Sequence, residues 1–167
     1  MAECAEVLRR AAGPLDEDLL RALFADSRPD LAMLAPEVRE VLLDLQFRAQ
    51  RSQYAASHPL ARHEILLVDG VAVGRLLVED AHDVVRIVDV TVSRDHRCRG
   101  IGSAVLRQLS HEADETGRAV RLSVWSENRG ARRLYESLGF VTVADAGART
   151  GGYLEMQRAH VQEGVAP

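Results

Sequence analysis

The sequence contains no lysine: all 21 basic residues are arginine, and 25 acidic residues outnumber them to give a formal net charge of −4. A Schiff-base enzyme and an ATP-type phosphate loop both need a lysine amine, so both are excluded. The acidic total also argues against a nucleic-acid coat and against a binder of anionic membranes, because each needs a net basic surface. Local arginine clusters can still bind a single anionic ligand.

Cysteine and long apolar runs are scarce as well. Cys4 and Cys98 form neither a disulfide framework nor a metal cluster, and the six histidines show no metal-ligand spacing. No apolar run approaches the roughly 20 residues of a membrane span, and the acidic start lacks the apolar core of a signal peptide. We therefore expect a cytoplasmic protein without a metal, a membrane partner or a nucleic-acid partner.

The 167 residues suffice for one domain with its own hydrophobic core, and their periodicity predicts helices followed by strands that alternate with helices. The predicted elements are a strand over 7–11, helices over 16–25 and 36–57, strands over 63–68, 71–79 and 84–93, a helix over 102–116, a strand over 120–125, a helix over 129–138, and strands over 140–144 and 153–157. This order predicts an α+β, or mixed α/β, domain built on one sheet.

The second predicted helix carries two apolar stripes on nearly opposite sides. The stripe expected to face the core consists of Val38, Val41, Leu42, Leu45 and Ala49. The other consists of Leu43, Phe47 and Tyr54. A surface helix needs only one apolar stripe, so the second indicates a substrate wall, a contact in a homodimer, or burial on both sides. Leu43, Phe47 and Tyr54 are the candidate substrate-side residues.

The most informative segment is a short glycine turn between the strand Val90-Thr91-Val92 and the next helix. The turn reads Arg97-Cys98-Arg99-Gly100-Ile101-Gly102-Ser103. Its small residues let backbone N–H groups approach a ligand, and the N-terminus of the helix adds positive potential. The two arginines supply guanidinium donors suited to phosphate oxygens. The pattern predicts a phosphate-binding turn, although a dinucleotide fingerprint would need a third glycine where Val105 stands.

The arrangement Arg97-x-x-Gly100-x-Gly102 after that strand resembles the acetyl-CoA pyrophosphate loop of the GNAT superfamily of N-acetyltransferases. A second segment is similar to another signature of the family: Leu122-Ser123-Val124, then Asn128, then Leu134-Tyr135-Glu136-Ser137-Leu138-Gly139-Phe140. The resemblance implies a GNAT-like fold, with one central, mostly antiparallel sheet, a splayed parallel strand pair and flanking helices. It implies a single domain over residues 1–167, with variable substrate-side helices at about 5–59, the acetyl-CoA-binding core at 60–145, and a last strand and tail at 146–167.

The resemblance also implies that a primary amine, on a small molecule or a peptide, attacks the thioester of acetyl-CoA directly in a ternary complex. The backbone of Val90 and Val92 would pair with the pantetheine arm, and Arg97 to Ser103 would wrap the pyrophosphate. Asn128 would hydrogen-bond the pantetheine or begin the following helix as its N-cap. Tyr135 is the candidate general acid for the departing CoA thiolate, with a packing role as the alternative.

Two departures from the family pattern leave questions open. Some relatives carry Glu on the central strand where this sequence has Val88, so the general base is unassigned. Asp89 is a weak candidate, with a hydrogen-bonding role in the sheet as the alternative. Cys98 stands where relatives usually have glycine, and a positive φ there would strain it. A second hypothesis for the whole chain is a catalytically silent GNAT-fold module that binds an acyl-CoA or a protein partner.

Overall fold

The structure, a computed structural model, describes residues 6–143 and 152–161. Its internal contacts divide the chain into two compact units. Unit 1 consists of the described residues up to Leu77 together with Asp89–Ile101, and unit 2 consists of Val78–Val88 and the described residues from Gly102 onward.

The order of helices and strands follows the prediction. The elements are β1 Val7–Ala11, α1 Glu17–Asp26, α2 Pro36–Ser57, β2 Arg62–Val68, β3 Val71–Asp80, β4 Val84–Val92, α3 Ile101–Glu115, β5 Ala119–Trp125, α4 Arg129–Ser137, β6 Val141–Thr142 and β7 Tyr153–Arg158. Short 3₁₀ turns lie at Pro14–Asp16, Pro29–Met33 and Arg94–His96. Apart from the end of β6, every boundary lies within one residue of its prediction. β6 is shorter than expected, and Ala144, the predicted end of that strand, lies outside the described residues.

Seven strands form one sheet in the order β1-β2-β3-β4-β5-β7-β6. β1 with β2, β5 with β7, and β6 with β7 are antiparallel, whereas β4 and β5 are parallel. The parallel ladder joins Val84–Ile87 to Ala119–Leu122, and β4 continues beyond this ladder to Val92. The α+β fold class with a mostly antiparallel sheet, one parallel pair and flanking helices is confirmed.

The turn between β2 and β3 is the predicted Asp69-Gly70 turn. Both residues have φ in the left-handed region, at +51° and +76°. A two-residue turn with positive φ at both positions matches the right-handed twist of the strands it joins. Aspartate tolerates that backbone better than most side-chain-bearing residues and glycine adopts it freely, so these two residues specify the hairpin locally.

The core of unit 1 corrects the expected orientation of α2. Its buried residues are Leu20, Phe24, Leu31, Leu43, Phe47 and Ile65. The rings of Phe24 and Phe47 pack with their centroids 5.7 Å apart. The prediction of which stripe faces the core is therefore wrong. In the stripe expected to be buried, Val38, Val41 and Leu45 are more than half exposed, and only Leu42 packs partly against this core. The Leu43 and Phe47 side of α2 is buried because it carries the large ring that packs against α1.

The core of unit 2 is the one the periodicity of α3 predicts. Val105, Leu106, Leu109 and Ala113 are all fully buried. They share the core with Val120, Leu122, Val124, Phe140 and Met156. The chain leaves α3 through Gly117, whose φ of +66° is the left-handed conformation common after a helix.

Candidate functional site

The glycine turn connects the end of β4 to the start of α3. After Val92 the chain makes the 3₁₀ turn and then passes through residues 97–100 before α3 begins at Ile101. Cys98 and Gly100 both have positive φ, at +60° and +79°. Glycine adopts this conformation freely, whereas the Cβ of cysteine opposes it at a cost of about 1 kcal/mol. Cys98 therefore has the positive φ that was expected to strain it.

The first turn of α3 follows directly from this loop. Ile101 is buried and fixes the start of the helix, and Gly102 and Ser103 are half-buried in its first turn. The first N–H groups of a helix have no carbonyl partner within it and carry partial positive charge. Cys98, Arg99 and Gly100 are exposed just before them. The loop thus places side chains and amides of the predicted phosphate-binding turn within one short stretch of backbone.

Arg97 has a structural contact that the sequence does not reveal. Its Nε donates a hydrogen bond to the carbonyl oxygen of Val92 at 3.0 Å, and its Nη2 lies 3.5 Å from the carbonyl oxygen of Asp26. The backbone N–H of Arg94 donates to the carboxylate of Asp26 at 2.8 Å. These bonds tie the loop to the end of α1. Arg97 therefore fixes the shape of the turn, and the exposed Arg99 is the better placed of the two arginines to meet a phosphate.

Asp89, half-buried on β4, forms an ion pair with the buried Arg75 of β3. Its carboxylate accepts hydrogen bonds from Arg75 Nε at 2.7 Å and from the hydroxyl of Thr91 at 3.3 Å. Arg75 is only 3% exposed, and its Nη2 also donates to the side chain of Gln50 at 2.9 Å. A carboxylate held by a buried guanidinium is occupied by that partner. Asp89 thus makes the hydrogen bonds within the sheet that were the alternative to a role as general base.

The two candidate residues of the second signature lie in unit 2. Asn128 is exposed, and its side-chain oxygen accepts a hydrogen bond from the N–H of Ala131 at 3.1 Å, so it is the N-cap of α4. Tyr135 is half-buried on α4, and its ring packs against Phe140 with centroids 5.9 Å apart. Its roles in catalysis and in cofactor binding, like the cofactor role of Asn128, stay predictions.

Val90 and Val92 lie on the part of β4 that continues beyond the parallel ladder. Both side chains are half-buried. The carbonyl of Val92 is bonded to Arg97, and the N–H of the next residue, Ser93, donates to the carbonyl of Val73 at 2.8 Å. The backbone at this end of β4 is therefore held by both the loop and β3.

The three substrate-side candidates separate into two groups. Leu43 and Phe47 are 5% and 2% exposed within the core of unit 1, so the expectation that they face a substrate is wrong. Tyr54 lines an open cavity of about 730 Å³ in unit 1, beside the C-terminal half of α2. We call this the α2 cavity. It is lined by Arg48, Arg51, Ser52, Tyr54, Ala55, His58, Pro59, Ala61, His63, Arg75 and Leu77.

His63 reports the electrostatic potential in the α2 cavity. Burial lowers the pKa of its imidazole, Arg75 and Arg51 lower it further, and Asp89 acts in the opposite direction. The imidazole is therefore neutral at pH 7. Its Nε2 is buried and has no hydrogen-bond partner among the described residues.

Comparison with known proteins decides the family. Residues 20–140 match the model of the acetyltransferase (GNAT) family. The chain belongs to the GNAT family.

Solved GNAT structures resemble this chain over nearly its whole length. The PaiA N-acetyltransferase of Thermoplasma acidophilum, solved with coenzyme A, has a TM-score of 0.67 at 14% identity, covering 93% of this chain and 99% of that one. An acetyltransferase of Thermus thermophilus has a TM-score of 0.66 at 20% identity, covering 93% and 98%. The ribosomal-protein-S18-alanine N-acetyltransferase of Escherichia coli has a TM-score of 0.60 at 19% identity, covering 97% and 99%. These likenesses show the fold.

One curated relative is similar over a shorter stretch. The L-amino acid N-acyltransferase MnaT of Escherichia coli (strain K12) is 32% identical over 77 residues. This stretch is 44% of the GNAT chain described here, and the chain spans less than half, 45%, of the length of that relative.

Sequence reasoning missed the basic lining of the α2 cavity. Arg75 carried a usable signal, because it is a lone charge within the apolar run of β3 from Val71 to Val78. A charge within a buried strand needs a partner, but the sequence alone does not say that the partner is Asp89 on the neighbouring strand. His63 and Arg51 carried no such signal.

Metal ligands and membrane-spanning helices are both missing from the part of the chain that the structure describes. That part contains no group of three or more His, Cys, Asp or Glu side chains placed to hold a metal ion. None of its helices is both long and apolar enough to span a membrane.

Proposed function

We propose that this GNAT chain transfers the acetyl group of acetyl-CoA to a primary amine, by direct attack of the amine within a ternary complex. The observation that carries the proposal is the turn after β4. There a strand that runs past its parallel ladder leads through two left-handed residues into the N-terminus of α3. This is the backbone arrangement that a diphosphate needs, and a fold neighbour was solved with coenzyme A.

The residues divide the binding of acetyl-CoA between loop and strand. The amides from Cys98 to Ser103 and the guanidinium of Arg99 would hold the pyrophosphate. The backbone of Val90 and Val92 would pair with the pantetheine arm, and a strand N–H directed at the thioester carbonyl would stabilise negative charge as it develops. Asn128, already the cap of α4, retains its amide N–H₂ as a donor for the same arm.

Tyr135 would act on the leaving group. The neutral amine forms a C–N bond with the thioester carbon, the C–S bond breaks, and the sulfur leaves as a thiolate. The phenol of Tyr135 would donate a proton or a hydrogen bond to that sulfur. The amine loses its own proton to solvent, because Asp89 is occupied by Arg75.

Amine-dependent release of CoA thiol tests this function. The purified protein is supplied with acetyl-CoA and a panel of amines: amino acids, polyamines, peptide N-termini and aminoglycosides. Amino acids enter the panel because of the partial similarity to an L-amino acid N-acyltransferase. We expect thiol release that requires one class of amine, together with an N-acetylated product. Tight binding of acetyl-CoA without release for any amine would instead favour the silent acyl-CoA-binding module.

A second series of donors tests the choice of acetyl group. Propionyl-CoA and succinyl-CoA are compared with acetyl-CoA at a fixed amine concentration. We expect acetyl-CoA to give the highest kcat/KM. A higher kcat/KM for propionyl-CoA or succinyl-CoA would support the acyltransferase function but show that acetyl-CoA is not the preferred donor.

A further inference from the structure

The α2 cavity has an unusual charge distribution for a site that receives an amine. Its described lining contains three arginines and two histidines but no aspartate or glutamate. An amine reaches the enzyme mostly as a cation, and this lining offers no carboxylate to pair with an acceptor whose only charge is the ammonium group. The acceptor must therefore bring negative charge of its own or bind elsewhere.

Arg75 is not the group that receives a ligand. It is buried, its Nε and Nη2 are taken by Asp89 and Gln50, and its guanidinium lies 5.8 Å from the centre of the Tyr54 ring. Removing such a group from its partners would leave a buried charge without compensation. Arg75 instead fixes Tyr54 in the cavity wall and supplies part of its positive potential.

Arg51 and Arg48 are held less tightly at the rim. Within the described ranges, Arg51 contacts Glu17 through Nη1, at 2.6 Å, and Arg48 contacts Asp44 through Nη2, at 2.6 Å. Both pairs are exposed, and exposed ion pairs contribute only about 0–1 kcal/mol, so an incoming anion can compete for either arginine. The guanidinium of Arg51 also lies 5.6 Å from the centre of the Phe47 ring, which limits its freedom.

The potential at His63 agrees with this assignment. Arg75 and Arg51 both disfavour a proton on that imidazole, against the opposing effect of Asp89. The neutral ring adds a hydrogen-bonding group to the cavity wall without adding a charge. The charges of Arg51 at the rim and Arg75 in the wall thus both act on His63.

We propose that the α2 cavity binds the acceptor amine through an anionic group on the same small molecule, a carboxylate or another oxyanion, which Arg51 holds with Arg48 at the rim. The proposal rests on the acyltransferase function proposed above. A volume of about 730 Å³ is in the range of small-molecule sites. A guanidinium binds a carboxylate through two parallel hydrogen bonds, so the anionic group would also orient the amine.

Matched acceptors test the proposal. L-Phenylalanine, L-methionine and glycine are each compared with the corresponding amide, and 2-aminoethylphosphonate is compared with ethanolamine. We expect kcat/KM to be at least about tenfold higher for the anionic member of a pair, mainly through a lower KM. The amino acid pairs report on a carboxylate, and the phosphonate pair reports on another oxyanion.

Matched variants locate the effect. Arg51→Gln should remove most of the preference for the anionic acceptor, lowering the ratio of kcat/KM for the anionic member of each pair to that for its neutral member by tenfold or more. Arg39→Gln changes an arginine of the same helix that does not line the cavity and should keep the preference. Equal use of acids and amides, or an unchanged preference in Arg51→Gln, overturns the proposal and leaves the acyltransferase function standing.

If no amine supports thiol release, the proposed acyltransferase function is wrong. A binding measurement then tests the anion site on its own. The imidazole of His63 is followed by NMR while L-phenylalanine and then 2-aminoethylphosphonate are added in the presence of CoA. An anion bound at Arg51 should raise the pKa of His63 in the wild-type protein but not in Arg51→Gln. No change with either probe overturns the proposed anion site as well.

Discussion

At the scale of single residues, the role of Tyr135 is the most informative to test. We expect Tyr135→Phe to bind acetyl-CoA normally and to lose roughly 10²-fold in kcat, because the ring packing against Phe140 is kept while the proton donor is removed. Calorimetric binding of acetyl-CoA and steady-state thiol release measure the two effects. Tyr153→Phe is the control, since Tyr153 packs edge-on against Trp125 and has no proposed chemistry. Unchanged turnover in Tyr135→Phe would leave the tyrosine a packing role only.

Asp16 gives a prediction about stability and pH. Its buried carboxylate accepts two hydrogen bonds from Arg10, at 2.8 and 2.6 Å, and one from the N–H of Gly13, and these lower its pKa from 3.8 to about 2. Because the folded pKa is depressed, the stabilisation is complete above about pH 4 and is lost as the pH falls through about 2. We expect Asp16→Asn to lower the free energy of unfolding by about 2 kcal/mol at pH 7.

Urea unfolding across pH 2 to 7 measures this effect. The difference between wild type and Asp16→Asn should shrink steadily below pH 4. Glu37→Gln, at an exposed position in the first turn of α2, should change little at any pH. A difference that stays the same at pH 2 and pH 7 would show that the charge of Asp16 contributes nothing to stability.

At the scale of elements, α2 provides a direct comparison of its two apolar stripes. We expect Phe47→Ala to lower the free energy of unfolding by about 3–5 kcal/mol, because it opens a cavity against Phe24. Val41→Ala, on the exposed stripe, should change it by about 0.5 kcal/mol or less. Denaturant unfolding of both variants measures the effects. Similar losses would mean that the Val41 stripe is covered in solution, and sedimentation would then report whether a second copy covers it.

The approach of β3 to β4 requires a glycine at position 74. A Cβ placed there would lie 2.5 Å from the carbonyl oxygen of Thr91 and 3.1 Å from the side chain of Leu66. We expect Gly74→Ala to destabilise the protein by about 1–3 kcal/mol and to raise the KM for acetyl-CoA, because Thr91 lies between Val90 and Val92. Gly13→Ala is the control, since a Cβ at Gly13 would meet no atom within 4 Å. A Gly74→Ala protein with wild-type stability and KM would contradict this close approach.

The elements also show why some features could be predicted and others could not. The Asp69-Gly70 turn, the core side of α3 and the glycine turn depend on local backbone preferences and periodicity, which the sequence contains. The orientation of α2 depends on which stripe meets Phe24, a contact between residues 23 positions apart. Likewise, the pairing of Arg75 with Asp89 depends on the packing of neighbouring strands, and the insertion of β7 between β5 and β6 depends on the whole sheet.

At the scale of the whole molecule, the basic side chains of the two proposed binding sites contrast with the acidic total charge. The chain carries a formal net charge of −4, yet the described lining of the α2 cavity is basic, and Arg97 and Arg99 precede α3. All three cavity arginines are paired with carboxylates outside the lining, so a basic lining does not require a basic protein. We therefore expect anions to bind only at such local sites.

The absence of lysine simplifies the measurement of acetyl transfer. Because the chain has no lysine, it has no lysine side chain that could be acetylated, either chemically or enzymatically. Acetylated product recovered with the small-molecule fraction therefore reports the acceptor with little background from the enzyme.

Initial rates with acetyl-CoA and the amine varied together test direct transfer most directly. The release of CoA thiol and the formation of N-acetylated amine are measured in the same samples. Direct attack in a ternary complex predicts intersecting reciprocal plots and one acetylated amine for each CoA released. Parallel plots with an acetylated enzyme, for instance at Cys98, or thiol release without an acetylated amine, would contradict it.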